Sequence, residues 1–349
     1  MNYITIKRAY STHNNNASFI STFKNKVYNS INLMQTREFQ TNNTPVKNKL
    51  TPNWISGFSD AESSFNVIIY KNKNLKMGWK VNVSFEIHLH GKDIVLIKEI
   101  KAFFLGAGTI TINKKDNSVK YSVSNIKDLT SVIIPHFLKY PLITQKWADF
   151  ELFKQIVDLI NKQEHLNAEG LNKIINLKAS MNNGLSEKIQ EAFPNILPVI
   201  RPVVKLPEKL NPEWIAGFTC GEGCFCVLVS KNEKLKIGYG VQLLFLVTQH
   251  SRDRDLINKL VESLGCGYVR ERSRGSAVDF KVTAIEDIIN KIIPFFELYL
   301  LQGIKTLDYK DFCKIALLMK DGLHRKNEGI EEIRKIKSGM NSHRKFDSL

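Results

Sequence analysis

The 349-residue sequence has no apolar run of about 18 residues or more, so we expect no membrane-spanning helix. It has no acidic residue before Glu38, no C-x-x-C pair and no cysteine in its first half. The cluster Cys220, Cys224 and Cys226 lacks a matching His/Cys pair at zinc-finger spacing. We therefore expect the cysteines to be small buried packing residues in a reducing compartment rather than zinc ligands.

Acidic residues are in the minority, since 50 Lys and Arg stand against 34 Asp and Glu and give a net charge of +16. This balance favours a polyanionic partner, because cationic side chains neutralise phosphates and release their counterions. An anionic membrane surface is a competing partner, and a basic soluble protein without such a partner is the plainer alternative. We expect nucleic acid and no membrane.

Residues 1–48 differ from the rest of the chain, because they are basic and rich in Asn, Ser and Thr. This composition is typical of a mitochondrial presequence, and it predicts a mitochondrial location. It also fits a leader left by an upstream fused reading frame, and the sequence does not decide between the two. We expect residues 1–48 to be a disordered leader outside the fold.

The chain contains an internal repeat. Residues 51–58 (TPNWISGF) match residues 211–218 (NPEWIAGF) at an offset of 160, and the register persists at 159 or 160 to residues 181–182 and 340–341. The repeat predicts an N-terminal half at 49–182, a linker at 183–206 with three prolines that favour extended chain, and a C-terminal half at 207–349. We expect a monomer with pseudo-twofold symmetry, which suits duplex DNA.

Each half is predicted to be α-β-β-α-β-β-α with extra C-terminal helices, which is an α+β class with a twisted antiparallel sheet. Thr51 and Asn211 are good N-caps, each followed by a proline that favours the first helical position. Period-2 alternation in residues 80–88 predicts a strand with one packed face and one face toward water or a ligand.

The two opening helices carry related segments, ISGFSDAES at 55–63 and IAGFTCGEG at 215–223. Small residues four apart, such as Gly57 and Ala61, let two helix backbones approach closely. If these helices pack together, Glu62 and Glu222 emerge side by side at their C-terminal ends. Two carboxylates there would repel each other, and a divalent cation would stabilise the pair.

These segments resemble the motifs of the LAGLIDADG homing endonucleases in their single-chain, two-motif form, over roughly residues 50–345. Residues 246–249 (LVTQ) and 264–270 (LGCGYVR) also look like that family, and the wider pattern is similar to its mitochondrial, group I intron-encoded members. The resemblance implies a DNA-binding saddle and site-specific cleavage of both strands of a long asymmetric double-stranded site, leaving short 3′ overhangs. It implies Mg²⁺ as the metal, with Mn²⁺ as a substitute.

The resemblance also implies roles for individual residues. Glu62 and Glu222 would hold metal and help generate the attacking hydroxide, with the carbonyls of Ala61 and Gly221 facing the metals. The aligned lysines Lys146 and Lys305 would stabilise the scissile phosphate, and a lysine that contacts only DNA backbone or solvent is the equal alternative.

Three positions depart from symmetry. Cys220 stands opposite Asp60, so Asp60 is interpreted as a capping or structural acid. Ser63 stands opposite Gly223, and its side chain is expected to narrow the site or change strand preference. Gln249, which would orient solvent near the metal, stands opposite Leu89, so the two strands are expected to be cut at unequal rates.

Polar and basic side chains on the exposed sheet faces and in the turns are expected to contact DNA, with Arg reading guanine, Asn or Gln reading adenine, and turn lysines contacting phosphate. The alternating arginines of the second half are expected to point one way from a strand. The candidates are Lys71, Lys73, Lys76, Lys80, Asn82, Ser84, Lys231, Lys234, Lys236, Gln242, Arg270, Arg272 and Arg274.

Two other functions compete with cleavage. An RNA-binding maturase would take the intron RNA as its partner and would not need both Glu62 and Glu222. A DNA-binding regulator would use the same scaffold without chemistry.

Overall fold

The computed structural model describes residues 50–273 and 275–346, and its first half follows the predicted element order. The elements are α1 (Pro52–Glu62), β1 (Ser63–Lys71), β2 (Trp79–His90), α2 (Ile94–Phe103), β3 (Thr109–Asn113), β4 (Ser118–Val123), α3 (Ile126–Asp128, the π-helical turn Leu129–Ile133 and Ile134–Lys139), α4 (Lys146–Asn161) and α5 (Ala168–Ala179).

A short helix, α6 (Glu187–Ala192), precedes the second half. The second half repeats the order with α7 (Pro212–Glu222), β5 (Gly223–Lys231), β6 (Tyr239–His250), α8 (Arg254–Leu264), β7 (Tyr268–Glu271), β8 (Ala277–Val282), α9 (Ile285–Asp287, the π-helical turn Ile288–Ile292 and Ile293–Leu298), α10 (Lys305–Lys320) and α11 (Asn327–Lys337). The predicted α+β class is confirmed.

Each half contains a four-stranded antiparallel sheet, in the order β1-β2-β4-β3 or β5-β6-β8-β7. One face packs on the helices, because alternate residues such as Phe65, Phe85 and their equivalents Phe225 and Phe245 are fully buried. The Phe65 ring lies 5.3 Å from the Phe85 ring, and Phe225 lies 5.1 Å from Phe245. The other face is open, and its alternate positions are mostly polar in the first half.

Helices α1 and α7 pack on each other through backbone. A Cβ added at Gly57 would lie 2.0 Å from the Trp214 carbonyl oxygen, and one at Gly217 would lie 2.0 Å from the Trp54 carbonyl oxygen. No side chain fits in either gap, so glycine is what permits this approach. The predicted close contact of the two motif helices is confirmed.

Two aspartates bind each half to the other. The Asp93 carboxylate accepts a hydrogen bond of 3.0 Å from the Ile304 amide, just before α10. The equivalent Asp253 accepts one of 2.9 Å from the Gln145 amide, just before α4. Each half therefore caps a helix N-terminus of its counterpart.

The predicted linker is not simply extended. It contains α6, whose buried Ile189 packs with Leu171 and Ile175 of the first half. Farther along, Arg201 donates to Asp149 at 2.7 Å and to the Ser180 carbonyl at 2.8 Å. The prolines limit helix length, but apolar side chains of this segment, such as Ile196, still pack against the first half.

A similar arginine cluster exists in the second half. Arg344 donates to Asp308, the residue equivalent to Asp149, at 3.0 Å, and to Asp311 at 2.6 Å. Arg201 from the linker and Arg344 near the C-terminus therefore bind the same kind of acid in the two halves.

The prediction that the cysteines are buried packing residues holds for three of the five. Cys220, Cys266 and Cys313 are buried thiols, whereas Cys224 and Cys226 are half-buried on the open face of the second sheet. Within residues 50–273 and 275–346, no group of three or more His, Cys, Asp or Glu side chains could hold a metal ion. Strand alternation places Cys224 and Cys226 outward, because Phe225 and Val227 face the core.

No helix in the described part of the chain is long and apolar enough to span a bilayer. The expected leader 1–48 and the candidate Arg274 lie outside the described residues. The domain boundaries therefore stay a prediction.

His136 is a buried titratable group in the first half. Its ring is surrounded by aromatic side chains, including Phe104 and Phe137, and its Nε2 lies 3.3 Å from the Ser56 hydroxyl. Burial lowers the pKa of His136 from 6.5 to about 4. The second half has Phe295 at the equivalent position.

We predict that Gly217→Ala lowers the free energy of unfolding by about 3 kcal/mol, because the added methyl group overlaps the Trp54 carbonyl. Urea unfolding measures the change. Gly339→Ala is the control, because its Cβ would meet its nearest atom at 3.6 Å. Equal stability of the two variants would contradict the packing.

We predict that His136→Phe makes the protein less sensitive to acid. A lowered histidine pKa contributes stability that is complete above pH 6.5 and is lost as the pH falls toward 4. Between pH 7 and pH 5 the wild type should lose about 2 kcal/mol more than the variant in urea unfolding. Phe295→His, the reverse exchange, should increase acid sensitivity, and no difference among the three proteins would refute the assignment.

Candidate active site

Glu62 and Glu222 come together where α1 and α7 end. The Glu62 side chain lies against α7, because a Cβ added at Gly221 would be 2.9 Å from its Cγ. Both glutamates are half-buried. The helix contact therefore places two carboxylates at one centre, beside the Ala61 carbonyl, while the roles of these residues and of the Gly221 carbonyl in metal binding stay a prediction.

Burial controls the protonation of this pair. It raises the pKa of Glu222 to about 6, with a further rise from the Glu62 carboxylate. Burial also raises the pKa of Glu62, while Lys146 and Lys305 lower it. Burial and mutual repulsion disfavour the ionised form of both carboxyl groups. A cation bound between them would favour the ionised form, which is the form that binds metal.

The two lysines lie at the same centre, but they donate hydrogen bonds to different backbone carbonyls. Lys146 Nζ donates to the Ser59 carbonyl at 2.9 Å and to the Ala61 carbonyl at 3.3 Å. Lys305 Nζ donates to the Gly223 carbonyl at 2.6 Å. Burial lowers the pKa of Lys146, and the carboxylates around it oppose that effect. Both ammonium groups cap the ends of the motif helices, where the helix dipole is negative.

The surroundings of the glutamates also differ. Gln249 donates a side-chain hydrogen bond to Glu222, which lowers the pKa of that carboxyl. The equivalent Leu89 offers no hydrogen bond and lines a cavity of about 470 Å³ that reaches Glu62 and Lys305. The side chain at this position therefore distinguishes the Glu62 side of the centre from the Glu222 side.

Asp60 is a structural acid. It is 3% exposed, and its carboxylate accepts hydrogen bonds from the Ile143 amide at 2.9 Å, the Thr144 hydroxyl at 2.6 Å and the Trp214 indole at 2.8 Å. Burial raises its pKa, and these donors oppose the rise. Cys220 at the equivalent place accepts from the Gln302 amide at 3.3 Å.

Ser63 does not project into the centre. Its hydroxyl donates to the Ser59 carbonyl at 2.7 Å, and the residue is buried. The equivalent Gly223 is packed against Thr219, since a Cβ there would meet Thr219 at 2.5 Å. The expectation that the Ser63 side chain narrows the site is therefore wrong.

The donor set fits a hard divalent cation. Two carboxylates and two backbone carbonyls supply oxygen, and cations such as Mg²⁺ need one or two carboxylates when substrate phosphate and water complete the shell. A structural zinc site would use mainly Cys and His ligands, whereas this donor set consists of oxygen.

The DNA-contact candidates of the first half lie on the open sheet face and in the β1–β2 turn. Lys71, Lys73, Lys76, Lys80 and Asn82 are exposed, and Ser84 is half-buried. Two are already engaged, because Ser84 donates to Glu86 at 3.0 Å and Asn82 donates to Tyr70 at 3.4 Å.

The second-half candidates Lys231, Lys234, Lys236, Gln242, Arg270 and Arg272 are all exposed. Of the three arginines expected to alternate, Arg270 belongs to β7, which ends at Glu271, and Arg274 lies outside the described residues, so the alternation stays a prediction. Arg272 lies beyond the strand, and its guanidinium binds Asp279 at 3.0 Å and Thr248 at 3.0 Å.

Asp93 lines the cavity and raises the pKa of Glu62, yet neither Asp93 nor its equivalent Asp253 is among the site residues predicted from sequence. The repeat carried a signal, because both aspartates precede a helix at the same offset. Their partners lie in the opposite half, which no local pattern reveals.

The family model described as LAGLIDADG endonuclease matches residues 55–157 and 215–316. The chain belongs to the LAGLIDADG endonuclease family. Both matches begin inside the motif helices, so the repeat and the family boundaries coincide.

Relatives of this family are intron-encoded proteins. Probable intron-encoded endonuclease 3 of Neurospora crassa is 42% identical over 85% of this chain and 55% of its own length. The chain thus spans about half of that relative. Probable intron-encoded endonuclease 2 of the same fungus is 38% identical over 90% of this chain and 72% of its own length. An uncharacterized protein in ND4 intron 1 of Podospora anserina is 41% identical over 34% of this chain and 26% of its own length.

Solved LAGLIDADG structures share the fold. The I-SmaMI LAGLIDADG homing endonuclease bound to cleaved DNA is 43% identical, with a TM-score of 0.83 over 85% of this chain and 98% of that chain. I-SmaMI bound to uncleaved DNA target in the presence of calcium ions is 43% identical, with a TM-score of 0.82 over 84% of this chain and 99% of that chain.

We predict that Asp60→Asn lowers the free energy of unfolding by about 3 kcal/mol, because an amide NH₂ would face buried donors. Cleavage chemistry at a temperature where the variant is folded should be unchanged. Urea unfolding and a cleavage rate test the two parts. Cys220→Ser, the equivalent control, should cost less, and a stable but inactive Asp60→Asn protein would make Asp60 catalytic.

Proposed function

We propose that this chain is a site-specific DNA endonuclease that hydrolyses one phosphodiester on each strand of a long asymmetric double-stranded target. The observation that carries this proposal is the convergence of Glu62 and Glu222, with two ammonium groups, at the junction of two pseudo-twofold-related sheets. One acid in each half suits two strands related by the same pseudo-symmetry.

LAGLIDADG endonucleases depend on a divalent metal, and we propose Mg²⁺ for this chain, with Mn²⁺ as a substitute. Glu62, Glu222 and the carbonyls of Ala61 and Gly221 would hold it. A bound divalent cation would supply charge neutralisation at the phosphate and a lower pKa for coordinated water.

The chain's own residues have separate tasks in this proposal. Lys146 and Lys305 hold positive charge beside the carboxylates and stabilise the charge that develops at the attacked phosphate. Gln249 fixes the Glu222 carboxylate and orients solvent next to it. Leu89 cannot do so for Glu62, which supports unequal cutting of the two strands.

The exposed cationic turns support a backbone-positioning role. Lys73 and Lys76 of the first half and Lys234 and Lys236 of the second lie in equivalent turns. Contacts of this kind fix the register of the protein on DNA, while side chains on the sheet faces read base edges. Of the arginine candidates, Arg270 is the better base reader, because Arg272 is held by Asp279.

We propose that the chain acts in the mitochondrion, that residues 1–48 form a leader, and that 49–182 and 207–349 are the two halves joined by 183–206. The intron origin of the relatives and the basic, acid-free start of the sequence support this proposal. A maturase would not need two converging glutamates, and neither would a regulator that only binds DNA, so their presence favours cleavage.

We predict that purified wild type with Mg²⁺ cuts sites selected from a random DNA library, and that EDTA abolishes cutting. Glu62→Gln and Glu222→Gln should each cleave one strand at least about 100-fold more slowly while binding the site, because a neutral amide is a weaker metal ligand. Strand-specific labelling and gels measure this. Glu99→Gln, a change of an exposed glutamate on α2, is the control.

Failure of wild type to cut any site, together with tight binding of intron RNA, would support the maturase instead. Normal cutting by the double variant Glu62→Gln/Glu222→Gln would remove both glutamates from the chemistry.

A further inference from the structure

The open faces of the two sheets differ in chemistry. In the second sheet, Cys224, Cys226 and Leu228 of β5 alternate with core residues. Leu244 and Leu246 of β6 lie on the same face, because they pair with Cys226 and Cys224. All five side chains are apolar and half-buried or exposed, and we call this set the apolar stripe.

The first sheet has mostly polar side chains at the equivalent positions. They are Ser64, Asn66, Ile68, Ser84 and Glu86. The two halves share a backbone register, so the difference lies in side-chain chemistry and not in the position of the strands. The two faces must therefore recognise different groups.

Several hydrogen-bonding groups beside the stripe are already paired within the protein. Asp279 accepts hydrogen bonds from Thr248 at 2.8 Å and from Arg272, and it forms an ion pair with Lys281 at 3.3 Å. Gln242, opposite Leu228, and Arg270 stay exposed. Within the stripe the only polar side-chain groups are two thiols, and these lie 3.0 Å apart, Sγ to Sγ, and hydrogen-bond to each other. Recognition there depends more on apolar contact than on hydrogen bonds.

We propose that the apolar stripe contacts the C5-methyl groups of thymines in the half-site bound by the second half of the protein. The inference rests on the proposed function. The thymine methyl is the apolar group that base pairs present in the major groove. Basic side chains lie on the same open face: Lys281 of β8 pairs with Leu246, and Arg270 of β7 lies farther along the sheet, opposite Asp279. These cations suit phosphates rather than an apolar protein surface.

The position of the apolar stripe along β5 predicts which thymines it contacts. Cys224 follows Glu222 by two residues, so the stripe starts beside the cleavage centre. Side chains two apart on a strand are about 6.8 Å apart, which equals about two base-pair steps. The contacted thymines should therefore lie in the base pairs next to the cut, on the side of the second half.

The test begins with sites selected from a random library for cutting by the full chain. The half-site of the second half should be enriched in thymine near the cut. Replacing its thymines with deoxyuridine removes only the methyl groups, and it should weaken binding about fourfold for each contacted methyl. The same replacement in the other half-site should weaken binding about fourfold at most, since Ile68 is the one apolar side chain there.

The double variant Cys226→Asn/Leu244→Ser installs the residues of the first half and should lose most of the thymine-to-deoxyuridine difference. Lys234→Ala is the matched control, because an exposed turn lysine should weaken binding to both DNAs equally. Urea unfolding verifies that both variants are folded. Gel-shift titration at fixed salt measures the affinities.

The outcomes separate this inference from the proposed function. Cutting of selected sites without thymine enrichment, or with equal deoxyuridine effects in both half-sites, would overturn the inference alone. Absence of DNA binding by wild type would overturn both. A dimer in sedimentation that Leu244→Ser disrupts would assign the stripe to a second copy of the chain and overturn thymine contact.

Discussion

The rest of the structure depends on the backbone contact between the two motif helices. At Gly57 and Gly217 a carbonyl oxygen of the opposite helix occupies the space of a side chain, so the helices meet as closely as backbones can. That approach brings Glu62 and Glu222 to one centre, where both are half-buried. Burial raises the pKa values of both carboxyl groups. The chemistry of the site therefore originates in two positions that carry no functional group.

Symmetry at this contact holds for the backbone and fails for the side chains. Asp60 accepts hydrogen bonds from Ile143, Thr144 and Trp214, whereas Cys220 accepts one from the Gln302 amide. Lys146 and Lys305 donate to different carbonyls. Such changes are tolerated because the sheets, the registers and the helix contact remain matched. One duplicated scaffold can then hold two sites of unlike reactivity, which suits the asymmetric DNA target that we propose.

Local chemistry and repetition made much of this fold predictable from sequence. N-caps, prolines and alternation placed the elements, and small residues four apart predicted the helix contact. The pairs Asp93–Ile304 and Asp253–Gln145 could not be predicted, because their members are over 100 residues apart and no periodicity joins them. The binding of Arg272 by Asp279 could not be predicted either, because the alternation of arginines does not show which acid lies on the neighbouring strand. Cysteine composition likewise could not say that Cys224 and Cys226 point outward.

The arginine clusters have a consequence for how the chain could be rearranged. Arg201 belongs to the linker and Arg344 to the C-terminal segment, yet each closes the end of its own half on an aspartate, Asp149 or Asp308. Each half is thus closed by its own arginine–aspartate contact, formed by chain that follows its last long helix. A chain opened between Arg201 and Leu210 would leave both arginine clusters intact, so the two halves could be exchanged as modules that recognise each other through the paired glycines and the Asp93 and Asp253 hydrogen bonds.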